Sequence, residues 1–74
     1  MSTTEKDLVF RCARFIAAAL AEQHPEMHQL FRLHCAFDAA CNLVMSAKWA
    51  GTYTQLSANV ARAEALANRL DFEI

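Results

Sequence analysis

The chain has one glycine, one proline, one tryptophan and one tyrosine in 74 residues. Strand-rich folds turn on glycine- and proline-bearing loops, which this sequence lacks. Net charge is nearly absent as well: seven Lys+Arg meet eight Asp+Glu, for a formal charge of -1. Non-specific nucleic-acid binding draws its affinity from clustered cations, and anionic membranes attract polybasic segments. Both partners are therefore disfavoured. Three cysteines, Cys12, Cys35 and Cys41, are an odd number and make no disulfide framework. Cys35 and Cys41 would also point in different directions on one helix. No stretch approaches the ~20 apolar residues of a membrane span, and the start Met-Ser-Thr-Thr-Glu-Lys-Asp lacks the basic opening of a signal peptide. Reduced thiols and no targeting segment make a cytoplasmic protein the expectation.

What is present is apolar and helix-forming. Hydrophobic residues make up 55%, and fifteen positions are alanine. That excludes a disordered tail and bounds the chain to one all-α domain over residues 1–74. Thr4 and Asp7 have capping-box spacing ahead of Leu8, so a first helix is expected over about 5–23. His24-Pro25 ends it. Proline suits the first turn of the next helix, where Glu26 meets the positive end of the dipole. The second helix is expected over about 26–49, closed at Ala50-Gly51. Thr52 and Gln55 repeat the capping-box spacing and predict a third helix over about 53–70, with 71–74 as a short tail.

Helical wheels assign the faces. Leu8, Val9, Cys12, Phe15, Ile16, Ala19 and Leu20 share an arc on helix 1, opposite Asp7, Arg11, Arg14 and Glu22. On helix 2 the apolar arc is Met27, Leu30, Phe31, Leu33, Phe37, Cys41, Val44, Met45 and Trp49. Helix 3 carries Tyr53, Leu56, Val60, Ala63, Ala67 and Leu70 at alternating spacings of three and four. These patterns predict a small antiparallel three-helix bundle, or a helical hairpin plus a third helix. Alanine-lined seams bury little area, so homodimerisation is expected to complete the core. Phe10, flanked by Ala13, Ala17 and Ala21, and Leu43, Phe72 and Ile74 fall outside the main arcs and are candidates for a covered surface.

Few side chains suggest chemistry. His34 and Asp38 are four apart and fall within the apolar arc of helix 2. A carboxylate there needs a hydrogen bond to His34 or a pairing arginine. With Cys41 they share a face, and a metal-responsive site there is the weakest of the functional readings, because the repeated Cys/His pairs of strong zinc signatures are missing. His24 and His28 read as solvated. Cys35 is the most exposed thiol but has no base within reach. No loop cradles a phosphate, and no catalytic residue, metal ligand or cofactor is assigned.

The leading expectation is a non-enzymatic helical interaction protein, homodimeric, that binds another protein and modulates it as an inhibitor or adaptor. Aromatic and arginine anchors dominate such interfaces. The partner-binding candidates are Phe10, Arg14, Phe31, Arg32, Trp49 and Tyr53, with His34 and Asp38 as a polar specificity element. The alternative is a dimeric DNA-binding regulator reading through Thr54, Gln55, Asn59, Arg62 and Arg69 on helix 3.

Overall fold

The computed structural model describes residues 3–69, of which 67–69 by their backbone. It contains three helices and, among the described residues, no strand: α1 (Thr3–Gln23), α2 (Gln29–Ala50) and α3 (Tyr53–Arg69). α1 and α2 pack along most of their length, and α3 rests on both less extensively. α1 and α2 run antiparallel. Lys48, near the end of α2, pairs with Glu5, near the start of α1, at 3.0 Å. Glu5 also sits in the first turn of α1, where its charge suits the dipole.

Two helix starts differ from the sequence reading. α1 already includes Thr3 and Thr4, so Thr4 is not its N-cap. α2 begins at Gln29 rather than near 26, because His28 caps it: its Nδ1 accepts from the Leu30 backbone N–H at 3.1 Å. Pro25 and Glu26 stay in the turn. The guanidinium of Arg32 holds the turn by donating to the carbonyls of His24 (3.3 Å), Pro25 (3.5 Å) and Met27. Glu26 accepts from its own backbone N–H and lies 3.2 Å from His24 Nδ1, and these two contacts hold its carboxyl below the usual range.

The glycine cap of α2 and the start of α3 fall where expected, whereas the described residues show no Thr52–Gln55 capping-box bond. Gly51 takes the left-handed conformation, at φ 74°, that ends a helix at no steric cost only in glycine. Its N–H donates to Lys48, and the Thr52 N–H donates to Ala47 at 2.8 Å. This pair of bonds closes the last turn of α2 in a Schellman motif. The Thr52 carbonyl then accepts from Leu56 at 3.0 Å and starts α3.

One core cluster joins all three helices. It contains Leu8, Val9, Cys12, Ala13 and Ala17 of α1, Ala36, Ala40 and Val44 of α2, and Val60 of α3. Phe15, Ile16, Leu33, Phe37, Cys41, Tyr53 and Leu56 pack against it, half-buried. The expected seam of α3 is present through Tyr53, Leu56, Val60 and Ala63; Ala67 and Leu70 lie outside the described side chains. On α1, Ala17 and Ala18 are buried, whereas Ala19 is exposed. The Ala13-Ala17 strip beside Phe10 faces the intramolecular core, and only Ala21 is left outside.

α2 requires the larger correction. Its buried positions are Ala36, Ala40, Val44 and Ala47. The inward direction is set mainly by alanines, and Leu30, Phe31, Met45 and Trp49 are exposed. Close helix contact favours small side chains at the seam, and an aromatic ring there would hold the axes apart. The bulky residues are displaced to the other side of the same helix.

α3 is tied to α1 by one interhelical ion pair. Arg11 donates through Nε (2.9 Å) and through a terminal nitrogen to the same oxygen of Glu64, and Asp7 lies 3.7 Å from Arg11 one turn earlier. The Arg11 hydrogen bond lowers the Glu64 carboxyl pKa, against partial burial that raises it. A depressed native pKa gives stability that is present above the unfolded value and is lost as pH falls through the native one.

Two outcomes follow for urea unfolding. Ala40→Leu should destabilise the fold by ~1–3 kcal/mol through overpacking; a stabilised variant would contradict a tight α1–α2 seam. Glu64→Gln should cost about 0.5–1 kcal/mol at neutral pH and nothing once the pH lies well below the glutamate range. An equal difference at both pH values would show that the ion pair contributes nothing to stability.

Candidate interaction surface

The helix rotation that buries Ala36 and Ala40 turns the opposite side of α2 outward. Trp49 is 88% exposed, Leu30 69% and Phe31 56%, with Met45 among them. His34, Asp38 and Asn42 lie between these residues and are also exposed. The expected placement of His34 and Asp38 in the core is therefore corrected. Asp38 is solvated and needs no buried counter-charge. The physical reason is that α2 is apolar on nearly every side, so its wheel does not single out one inward direction.

The other candidates are distributed over the molecule. Phe10 is 58% exposed and sets its ring edge-on against Phe37, with centroids 5.0 Å apart and planes at 83°. This edge-on aromatic pair is a favoured geometry and bridges α1 and α2. Arg14 is exposed on α1, and its charge helps to hold Glu64 ionised. Arg32 is committed to the turn carbonyls. Tyr53 is half-buried against the core at the start of α3. The structure thus brings Phe31, His34, Asp38 and Trp49 onto one side of α2, sets Phe10 against Phe37 at the α1–α2 seam, and separates Arg32 and Tyr53 from that face. Leu30, Asn42 and Met45 belong to the same face, although sequence reasoning does not select them. Hydrophobicity alone assigns Leu30 and Met45 inward.

A second apolar surface is concave. Leu43, expected on the polar side of α2, reaches over an open cleft of about 210 Å³ lined by Cys12, Phe15, Ile16, Leu56, Asn59, Val60 and Ala63. Leu43 and Leu56 also line an open hollow of about 360 Å³ at the α2–α3 corner. Cys12 is the titratable group in the cleft, and burial pushes its thiol up, away from the reactive thiolate. Among the described residues, no group of three His, Cys, Asp or Glu side chains is placed to hold a metal ion. This includes His34, Asp38 and Cys41. Within the same residues, no helix is long and apolar enough to cross a membrane. On α3, Arg62 donates to Asn59, so two of the residues considered for base reading bond to each other.

No protein-family model matches the chain, and no curated protein or solved structure matches it significantly.

The position of these side chains predicts how stability responds to truncation. In solution dilute enough to exclude self-association, Trp49→Ala, His34→Ala and Asp38→Ala should each shift unfolding by no more than ~0.5 kcal/mol. Leu8→Ala, in the core, should cost ~2–5 kcal/mol. Thermal or urea melts will check both, and a loss above ~2 kcal/mol at Trp49 or Asp38 would place those side chains inside.

Proposed function

We propose that this chain acts by binding: it is a non-enzymatic helical interaction protein that associates with another protein and modulates it, and that also pairs with a second copy of itself. The observation that carries this reading is the outer face of α2, where Phe31, Met45 and Trp49 are exposed around His34 and Asp38. Leu30 and Phe31 near one end of α2 and Met45 and Trp49 near the other place four large apolar side chains in water on one helix, and exposed apolar surface rimmed by polar residues marks interaction sites. Aromatics with a few polar groups among them are the composition of interface hot spots. Phe10 and Arg14, both exposed on α1, are further candidate contacts of the partner.

The shape of the molecule supports the same reading. Two clefts lined by described residues are open and almost wholly apolar, and a catalytic site needs convergent polar groups. An open apolar cleft suits an inserted side chain or helix of a partner. The proposed setting is cytoplasmic, in keeping with three unpaired cysteines.

Affinity capture from a lysate of the source cells tests this reading. The wild-type chain should retain a protein that Phe31→Asp, Trp49→Asp and Phe10→Asp lose, while circular dichroism shows all variants equally helical. Capture that is identical for the wild type and all three variants would sink the surface assignment.

A further inference from the structure

We propose that the outer face of α2 takes the α2 of a second copy of this chain, antiparallel, about a two-fold axis at the level of Ala40. This rests on the reading of that face as a binding surface, and it adds the occupant and the register.

Phe31, Cys35, Asp38, Asn42, Met45 and Trp49 follow one another at spacings alternating between four and three. That spacing keeps a stripe of side chains directed at one partner helix. The stripe lies on the side of α2 opposite Ala36, Ala40 and Ala47, so α1 and α3 leave it open. In such a pair every position finds its mate by reflection through Ala40. Phe31 meets Trp49 of the second copy at each end. Cys35, a small side chain, meets Met45, a long and adaptable one. Asp38 meets Asn42, whose carboxamide donates to the carboxylate, and the symmetry makes this bond twice.

The central polar pair selects this arrangement against its competitors. A parallel pair would stack Asp38 on Asp38, opposing like charges, and Cys35 on Cys35. Sliding the antiparallel pair by one heptad in either direction would set Asp38 against Cys35 or against Trp49, leaving a carboxylate covered and unpaired. A polar residue at one core position of a helix pair fixes register in this way, at some cost in stability. The area is sufficient but modest. A covered tryptophan or phenylalanine removes roughly 150–250 Å² from water. Two exposed aromatics per chain, with Met45 and the residues between, bring the total near the ~1,000 Å² at which specific interfaces begin. The dimer is therefore concentration-dependent.

The native Cys35 makes the register directly testable in the full chain. In a Cys41→Ser background, Met45→Cys should give a covalent dimer under oxidised glutathione. Peptide mapping should find Cys35 of one chain joined to the thiol introduced at position 45 of the other. The parent without Met45→Cys should not cross-link, because the two Cys35 residues lie ~15 Å apart along the pair at 1.5 Å per residue. Sedimentation equilibrium should show a concentration-dependent dimer for the wild type and a monomer for Trp49→Asp, with equal helix content. A Cys35–Cys35 link in the parent, a dimer that survives Trp49→Asp, or a wild-type monomer at every concentration would each overturn the proposal. A wild-type monomer whose lysate partner is still lost on Trp49→Asp would overturn the self-pairing and leave the binding function standing.

Discussion

The close approach of α1 and α2 through alanine sets the rest of the structure. Ala13 and Ala17 on one helix, and Ala36 and Ala40 on the other, are buried in the same core. A seam of small side chains brings two backbones near each other but has no room for rings. Each large residue on α2 must then either flank the seam, as Leu33 and Phe37 do, or leave it. Phe31, Met45 and Trp49 leave it. The exposed apolar face is thus a geometric consequence of how the hairpin is closed.

The same constraint explains the looser seating of α3. The alanine hairpin uses most of the available core, and α3 contributes Val60 as its one buried residue among those described. Its position depends on the short Schellman turn at Gly51, on Tyr53 and Leu56 against the core, and on the Arg11–Glu64 pair. Leu43 and Leu56 remain at the mouth of an apolar cleft that no fourth helix of this chain fills among the described residues. The described residues therefore leave two apolar surfaces incompletely covered, the outer face of α2 and this cleft.

Much of the fold is legible in the sequence, because its signals are local. The all-helical class, the stop at His24-Pro25, the glycine cap at Gly51 and the seam of α3 each depend on one or a few residues and their own backbone requirements. The start of α2 is not legible in this way. Arg32 closes the turn on three carbonyls from several residues away, which no local rule anticipates. The exposed face is only half legible. Phe31 and Trp49 stand out as candidates, yet the wheel also places them in the core arc together with His34 and Asp38. Hydrophobicity ranks phenylalanine and tryptophan above alanine for burial. The helix–helix contact reverses that order when the axes are close, and the reversal depends on the partner helix.

The most direct measurement uses the protein's single tryptophan. Trp49 stands on the outer face, remote from the core, so its fluorescence reports on whether that face is covered. Solvent-like emission and free quenching by acrylamide are expected in dilute solution. A blue shift and protection from the quencher are expected as concentration rises or a bound partner is added. Emission that stays solvent-like and equally quenchable under all these conditions would contradict the claim that the outer face of α2 is where this protein binds.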